Sequence, residues 1–412
     1  MSDLGIRVLP GTPHETRDGT PHEARDGTPH EARDGTPHEA RDGTPHVTLD
    51  GALEALPPGA SGAEVWSALG GAGHLAACYR DGDPRRGVRP AALARLLAAT
   101  DARFGIPATL SVSVPLATTL PVLATGTTDP ARRALEDALA GRVTTALAAT
   151  DATAGTDLSG LHTAVHVDGD TVEVTGEKQW IANATTAAWF LVLARLRPGR
   201  HFTSFTWVLV PADAPGVHVR PADSSLYAAS GTGHVRFDGV RLTAGHLVDR
   251  VGMGLPSFAR HIATERLAGA LWGVALCRRV LADTRTRLAA RAHGEATLWD
   301  NEAIRQRFAA CLVRTQELNA LCEQFAEPVA RRYDTTAAAT LKAAAGATVG
   351  QVLGECAQWW GAAGFADGSV QQTRAQAALF GIGGGATEVV LATLADSAEQ
   401  VLARLEPRGD TR

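Results

Sequence analysis

The sequence predicts an α+β protein in which a helical region, a strand-rich region and a helical bundle follow one another. Before about residue 141, apolar residues recur at helical spacing. Between residues 163 and 242 they alternate as in strands, and Asp168-Gly169 separates two such runs as a β-hairpin turn does. Four long helical patterns follow from residue 257 onward, which is enough for a bundle.

The first 50 residues have a different character from the rest of the chain. Residues 11–50 hold five octads, which read Gly-Thr-Pro-His and then mostly Glu-Ala-Arg-Asp. A proline in every octad interrupts helix, and the segment has too few apolar residues for a core. We therefore expect residues 1–50 to form a disordered octapeptide-repeat tail. Its histidines could bind a transition metal adventitiously, but ordering a flexible chain is entropically costly, so we predict no functional metal site.

Changes of periodicity divide the remaining chain into three regions. Residues 51–145 form a helical domain, with a helix at Ala91–Thr100 and another that starts at Asp129-Pro130. Residues 146–245 form a β domain, and residues 246–406 form the bundle. The predicted strands are Thr163–Val167, Thr171–Val174, Trp189–Leu196, Phe202–Val210, Gly216–Arg220 and His234–Leu242. The predicted bundle helices are 257–294, 301–330, 335–358 and 384–404.

Composition and charge argue against several classes of protein. A net charge of −5 gives no electrostatic reason to bind nucleic acid or an anionic membrane. We find no signal-peptide pattern and no charge-free apolar run of about 18 residues, so we expect a cytoplasmic protein without a membrane span. The five cysteines are scattered and lack a Cys-x-x-Cys spacing, which favours reduced thiols over disulfides or a zinc site.

Two glycine-rich segments lie between alanine-rich helical runs near the C-terminal end. They are Gln358–Phe365, which reads Gln-Trp-Trp-Gly-Ala-Ala-Gly-Phe, and Gly381–Glu388. Glycine clusters mark positive φ or a close approach of the backbone, so both segments favour a site. Together with Trp180-Ile181-Ala182-Asn183 and Thr264-Glu265-Arg266-Leu267, they resemble the acyl-CoA dehydrogenase family of flavoenzymes. The resemblance extends from about residue 50 to residue 405.

The resemblance implies both a fold and a chemistry. The fold has an N-terminal helical domain, a middle β-barrel-like domain and a C-terminal four-helix bundle. The chemistry removes a proton from the carbon α to a thioester and transfers a hydride from the β carbon to N5 of FAD. Because the α proton is weakly acidic, such a site needs a carboxylate base in a dry pocket and hydrogen-bond donors on the thioester oxygen.

The catalytic residues follow from how the chain departs from the common pattern. In much of the family the base is a glutamate in a turn that matches Ile382–Ala386, and Gly384 occupies its position here. A minority branch carries the base on a bundle helix before an arginine, as Glu265 precedes Arg266. The resemblance makes Glu265 the candidate base, Arg266 a positioning cation and the backbone N–H groups at Gly384–Gly385 the oxygen donors. Glu265 could alternatively be an ordinary acidic residue in a first helical turn.

Other segments resemble the family's flavin contacts. Residues 148–157 match a loop that lies along the isoalloxazine, with Ala149 and Thr150 at its pyrimidine edge and Thr156 in place of a serine. Trp180 matches a tryptophan that packs on the flavin. Ala182 replaces a threonine that bonds near N5, so one hydroxyl is lost.

The family completes each flavin site with a second subunit, so the resemblance implies a homodimer or homotetramer. Arg291 matches the arginine that reaches the partner's pyrophosphate. Gln358 and Gly361 match a motif that lines the partner's FAD, although Ala362 replaces its second glycine. The Arg-Asp pair usual in the family reads Ala375-Gln376.

Two hypotheses for the function follow. The first is FAD-dependent α,β-dehydrogenation of an acyl thioester, carried on coenzyme A or on an acyl-carrier protein, in a specialised biosynthetic pathway. The second is the same fold with altered chemistry, such as a flavin monooxygenase or a flavin-independent catalyst. Ala182, Ala362 and Gly384 favour the second hypothesis. The electron acceptor stays open in both.

Overall fold

The computed structural model describes residues 47–151, 155 and 157–406. The predicted repeat tail lies outside the described residues up to residue 46, and so does Thr156. At the end of the predicted tail the first helix already begins at Leu49, because the Thr48 side chain caps it by accepting a hydrogen bond from the N–H of Gly51.

The helices lie in the N-terminal and C-terminal parts of the described chain, before and after the strands of the larger sheet. They are α1 (Leu49–Glu54), α2 (Gly62–Gly71), α3 (His74–Ala77), α4 (Pro90–Val114), α5 (Leu120–Leu123), α6 (Asp129–Leu139), α7 (Gly254–Ala290), α8 (Glu302–Arg332), α9 (Thr335–Trp360), α10 (Val370–Ala377), α11 (Leu379–Ile382), α12 (Thr387–Asp396) and α13 (Ala398–Ala403). A π-helical turn, Pro115–Thr119, joins α4 to α5.

Strands occupy the middle of the chain. They are β1 (Thr144–Ala148), β2 (Ala164–Asp168), β3 (Thr171–Ile181), β4 (Ala187–Arg195), β5 (Phe205–Pro211), β6 (Val217–Pro221), β7 (Gly233–Thr243) and β8 (Leu247–Val248), with a small hairpin of β9 (Ala292–His293) and β10 (Ala296–Thr297). The larger sheet has the order β6-β7-β3-β2-β4-β5-β8, and β1 pairs with β4 in parallel.

The predicted hairpin is confirmed by the register of β2 and β3. Asp168 pairs with Thr171, and Gly169 takes the positive φ of 57° that the turn requires. The sequence missed β1, since this strand is five residues long and almost wholly buried. A short buried strand carries no alternation to distinguish it from a helical segment.

The main sheet separates two hydrophobic clusters. Alternate residues of β4 and β5, such as Leu193 and Trp207, join the cluster that includes the helices. Their neighbours, such as Val192 and Val208, join a second cluster on the other face of the sheet. The period of two along each strand therefore gives the sheet two buried faces.

Three of the predicted bundle helices are confirmed as α7, α8 and α9. The fourth prediction, one helix over 384–404, was wrong, because the chain leaves the helix at Ser397 and forms α12 and α13 on either side of it. Gly384 and Gly385, with φ of 70° and 102°, lie before α12 and do not continue a right-handed helix. The C-terminal domain is nonetheless helical, as the α+β prediction requires.

A buried carboxylate joins the N-terminal helices to the bundle. Asp101 on α4 is 2% exposed and accepts hydrogen bonds from Trp272 Nε1 at 3.1 Å and Arg279 Nε at 2.8 Å, both on α7. Because each oxygen of Asp101 has a donor, α4 and α7 are held in a fixed relation.

Two described helical stretches are long and apolar enough to cross a membrane, so the expectation of no such run was wrong. The first, Pro90–Leu123, is 89% buried within the fold, whereas the second, Val370–Asp396, is 17% buried. The second stretch is broken between α11 and α12, where the backbone leaves the helix. A span needs an unbroken set of backbone hydrogen bonds, so the second stretch does not argue for a membrane.

Asn183 fixes the turn between β3 and β4 against the rest of the protein. Its side chain is 1% exposed, and its Nδ2 donates to the carbonyl of Ser111 at 2.9 Å and to that of Thr145 at 3.1 Å. The Ser111 hydroxyl donates to Asn183 Oδ1. One side chain thus links α4, β1 and the β3–β4 turn, and asparagine tolerates the positive φ of 65° found here.

Replacing Asn183 with alanine should therefore destabilise the whole fold. We expect N183A to lower the free energy of unfolding by about 3 kcal/mol, because two buried carbonyls lose their donor and alanine disfavours positive φ. Urea denaturation followed by circular dichroism measures this loss. N319A, at an exposed position on α8, should stay within about 0.5 kcal/mol of the parent. Equal losses in the two variants would contradict the linking role.

Candidate active site

A small cavity lies where α4, α7 and α9 meet α11. Its volume is about 60 Å³, and apolar side chains form most of its wall: Leu110, Val114, Ala270, Trp272, Ala345 and Phe380. Three charged residues also line it, Glu265, Arg266 and Lys342. Charged groups in an apolar, enclosed space interact more strongly than they would in water, so the cavity is a candidate reaction site.

Glu265 lies well inside α7, which begins at Gly254. The alternative interpretation of Glu265 as a residue of a first helical turn is therefore wrong. Its Oε2 accepts a hydrogen bond from Thr118 Oγ1 at 2.8 Å. Burial raises the pKa of Glu265, whereas the Thr118 hydroxyl, Arg266 and Lys342 oppose that rise. A carboxyl group with a raised pKa is a stronger base than an exposed one.

Gly384 lies directly beside Glu265. A Cβ built on Gly384 would be 3.9 Å from Glu265 Oε1 and 3.6 Å from Arg266 Cγ. Arg266 Nε donates to the carbonyl oxygen of Gly384 at 3.0 Å, which ties the glycine turn to α7. The sequence predicted that Glu265, Arg266 and Gly384 form one site, and the structure brings these three residues together.

The glycine turn also offers free backbone donors. Gly384 and Gly385 both have positive φ, which only glycine adopts easily. Among the residues that the structure describes, the N–H groups of Gly384 and Gly385 have no hydrogen-bond partner. Two unpartnered N–H groups next to a carboxylate are the donor arrangement that a developing oxyanion needs.

Lys342 holds the other side of this turn, and the sequence did not single it out as a site residue. Its Nζ donates to the carbonyl of Phe380 at 2.5 Å and lies 3.4 Å from Thr387 Oγ1. It is 5% exposed, and burial, aided by the nearby Arg266 charge, lowers its pKa to about 8. The signal that could have found it is its rarity, because Lys178 and Lys342 are the only lysines in the chain.

Thr118 is the second site residue that the sequence missed. It is fully buried and lies in the π-helical turn after α4. Turns of this type are frequent at functional sites, but no sequence pattern predicts them reliably. The turn packs against α7 and against β1, the strand that leads into Ala149.

The predicted flavin contacts Ala149, Thr150 and Trp180 lie next to one another. The N–H of Gln179 donates to the Thr150 carbonyl at 3.0 Å, which brings Trp180 beside the loop after β1. The Trp180 indole is 57% exposed, and its φ is 57°. Among the described residues, the Thr150 hydroxyl has no hydrogen-bond partner. An exposed indole and a free hydroxyl are groups that can receive a planar, polar-edged ligand.

Ala182 follows Trp180 at the end of β3. Its side chain is partly buried and carries no polar atom.

A buried ion pair holds residues 149–151, which follow β1. Lys178 is fully buried, and its Nζ donates to Asp151 Oδ1 at 2.5 Å and to the Ala149 carbonyl at 2.8 Å. Asp151 also accepts hydrogen bonds from the N–H groups of His162 and Thr163. Both charges of this pair are matched, so the ion pair and its hydrogen bonds hold residues 149–151 in place.

The other predicted flavin contacts lie away from the cavity: Arg291, Gln358 and Gly361. All three are exposed, and Arg291 Nη1 is 3.9 Å from the position that a Cβ on Gly361 would take. Arg291 follows the last residue of α7, 26 positions after Glu265, so the helix separates the two residues by roughly 40 Å. These residues therefore form a second group, at the opposite end of α7 from the cavity.

Comparison with protein families identifies both parts of this architecture. Residues 146–240 match the acyl-CoA dehydrogenase middle domain, and residues 252–399 match the acyl-CoA dehydrogenase C-terminal domain. Together the two matches cover more than half of the chain.

Similar proteins carry related names. An acyl-CoA dehydrogenase, IpdE1 of Mycobacterium tuberculosis, is 35% identical over 122 residues, which are 27% of this chain and 30% of the relative. An acyl-[acyl-carrier-protein] dehydrogenase, MbtN of Mycolicibacterium paratuberculosis, is 27% identical over 252 residues, which are 58% and 62% of the two chains. The chain thus spans less than two thirds of the length of each of these relatives.

A solved structure of similar fold is the glutaryl-CoA dehydrogenase of Mycobacterium smegmatis in complex with FADH2. It superimposes with a TM-score of 0.75 at 18% identity and covers 85% of this chain and 89% of its own. The order of the helical, sheet and bundle regions agrees with this likeness. On the two domain matches and the shared fold, the chain belongs to the acyl-CoA dehydrogenase family.

Proposed function

We propose that the protein is an FAD-dependent dehydrogenase that introduces a double bond between the α and β carbons of an acyl thioester. The observation that carries this proposal is the meeting of Glu265 with the turn at Gly384 inside one apolar cavity. A base and unpartnered hydrogen-bond donors converge there, and α-proton abstraction next to a thioester needs both.

Glu265 is the proposed base. Its side chain lines a mostly apolar cavity, and burial raises its pKa, so it binds the α proton more readily than an exposed glutamate would. Arg266 and Lys342 oppose that rise through their positive charge.

The N–H groups of Gly384 and Gly385 are the proposed donors to the thioester oxygen. They have no other partner among the described residues, and negative charge grows on this oxygen as the α proton leaves. Arg266 and Lys342 hold the two sides of the turn, through the carbonyls of Gly384 and Phe380. The donors are therefore fixed before the substrate arrives.

The loop after β1 and the Trp180 side chain fit a flavin. Trp180 offers an exposed aromatic face, and Thr150 offers a hydroxyl without a partner among the described residues. FAD, when bound there, would accept a hydride from the β carbon. Ala182 has no hydroxyl to offer such a ligand, and the loss of one hydrogen bond weakens the binding free energy by about 1 kcal/mol. That cost is compatible with binding.

We further propose a homo-oligomer, in which Arg291, Gln358 and Gly361 contact the flavin of a neighbouring copy. Their distance along α7 from Glu265 supports this, because one bound flavin is not expected to reach both ends of that helix. The name of MbtN supports a carrier-bound acyl group as one substrate class, and coenzyme A thioesters are the other. The changed motifs favour a specialised biosynthetic pathway.

The second candidate is a family member with altered flavin chemistry, such as a monooxygenase. Ala182 favours it, because the group that would tune the reduced flavin is missing. The two candidates differ in whether a thioester reduces the flavin in the absence of oxygen.

An anaerobic flavin titration tests the proposed function. We expect the protein loaded with FAD to show a visible flavin band that one of a panel of acyl thioesters bleaches. E265Q should slow bleaching by roughly 10²- to 10⁴-fold, because the α proton then has no base. E399Q, an exposed carboxyl variant on α13, should bleach at nearly the parent rate. Bleaching by E265Q at the parent rate would remove Glu265 from the mechanism.

The buried ion pair between Lys178 and Asp151 gives a separate expectation. D151N should lower the free energy of unfolding by about 3 kcal/mol, because Lys178 would keep a buried charge without its counter-charge. Denaturation in urea measures the stability, and ultrafiltration measures the fraction of FAD retained, which should fall as the loop loosens. D213N changes an exposed carboxylate and should alter neither quantity. Full FAD retention by D151N would show that the ion pair does not support the site.

The proposed subunit contact can be tested at Arg291. R291M should weaken FAD binding by about tenfold or more, because a charge-assisted hydrogen bond to a phosphate contributes about 1.5–3 kcal/mol. Fluorescence titration with FAD measures the affinity, and light scattering measures the assembly. R241M removes an exposed arginine from β7 and serves as the control. A monomeric protein that still holds FAD would contradict the shared site.

A further inference from the structure

We propose that Thr118 is a positioning residue that assigns different tasks to the two oxygens of Glu265. Its hydroxyl holds Oε2 and so leaves Oε1 as the atom that receives the α proton. The inference rests on the proposed function, since it presupposes that Glu265 acts as a base. It goes further by naming the atom that reacts and the side chain that selects it.

The contact between Thr118 and Glu265 is short and enclosed. Thr118 Oγ1 lies 2.8 Å from Glu265 Oε2, and Thr118 itself is fully buried. The π-helical turn that carries Thr118 packs against α7. Because both the donor and its backbone are packed, this hydrogen bond fixes the rotation of the carboxylate rather than following it.

The other oxygen points to the glycine turn. Glu265 Oε1 is 3.9 Å from the position that a Cβ on Gly384 would take, so this oxygen faces the turn whose N–H groups, at Gly384 and Gly385, have no partner among the described residues. A thioester whose oxygen accepts from those N–H groups would bring its α carbon towards this space. Oε1 is therefore the oxygen placed to meet the α proton.

The proposed step is balanced in atoms and electrons. A bond forms between Oε1 and the proton as the Cα–H bond breaks. The electron pair left on Cα would form the α,β double bond as a hydride leaves Cβ, and FAD, when bound, would be the oxidant that accepts this hydride. In a thioester without a β hydrogen the same pair is held as an enolate, and a solvent proton or deuteron returns to Cα.

The charged groups around Glu265 also affect its pKa. Arg266 faces it from α7 and Lys342 from α9, while Glu388 on α12 acts on Lys342. These charged groups remain when Thr118 is changed. A hydrogen bond to the ionised form of a carboxyl lowers its pKa, so removing the hydroxyl should raise the pKa of Glu265.

The next residue supplies a matched control. Thr119 is also fully buried in the same turn, but its Oγ1 has no hydrogen-bond partner among the described residues. T118V and T119V each replace a buried hydroxyl with a methyl group of similar size. They differ only in whether a hydrogen bond to Glu265 is lost.

The experiment measures deuterium exchange at the α carbon of 3,3-dimethylbutyryl-CoA. This thioester has α hydrogens and no β hydrogen, so it reports proton abstraction without oxidation. The protein loaded with FAD is incubated with it in deuterium oxide across a range of pH, and mass spectrometry follows the label. Anaerobic bleaching by oxidisable acyl thioesters is recorded in parallel.

We expect the exchange rate to fall at low pH, as Glu265 becomes protonated. T118V should move this fall to higher pH by about one unit and make exchange about tenfold slower within that window. T118S keeps a hydroxyl and should restore the parent profile, and T119V should match the parent. If T118V does not fold, T118A provides the same comparison.

The outcomes separate the inference from the function it rests on. A T118V profile that coincides with that of T119V overturns the role of Thr118, even if the parent bleaches with a thioester. Exchange with the expected shift but no bleaching supports the role of Thr118 and contradicts dehydrogenation. No exchange by the parent protein overturns both, because Glu265 then removes no α proton.

Discussion

Glu265 is a half-buried carboxylate in the wall of a mostly apolar cavity, and a charge in such a place must be compensated by its neighbours. Three neighbours from different parts of the chain do this: Thr118 through a hydrogen bond, and Arg266 and Lys342 through their charge. The same two cations also hold the glycine turn through backbone carbonyls. One set of contacts therefore fixes both the carboxylate and the donors that face it.

The fold could be predicted where periodicity is strong. The helices α7, α8 and α9 and the β2–β3 hairpin agree with the sequence, because long amphipathic stretches and a two-residue turn act locally. β1 was missed since its five, mostly buried residues show no alternation. The last predicted helix started too early, at two glycines with positive φ, and it passed over the break at Ser397. In both cases tertiary surroundings decided what local sequence left open.

The site could be predicted only in part, and for a similar reason. The meeting of Glu265 with Gly384 followed from a resemblance between motifs, which already contains tertiary information. The hydrogen bond from Thr118 to Glu265 joins residues 147 positions apart and depends on a π-helical turn. No short-range pattern encodes such a contact. The sequence motifs also did not show how far a second group of residues lies from the cavity. The length of α7 separates this group, which consists of Arg291, Gln358 and Gly361, from Glu265.

The distribution of basic residues has a consequence for the surface of the molecule. Both lysines of the chain are buried, one against Asp151 and one under the glycine turn, so the positive charge of the described surface is carried by guanidinium groups. Guanidinium stays protonated at any pH that proteins tolerate. The described surface therefore keeps its positive charge through the alkaline range in which amines lose theirs. Reagents directed at lysine amines would meet none on that surface, which makes their reaction a sensitive report of local opening around the two buried sites.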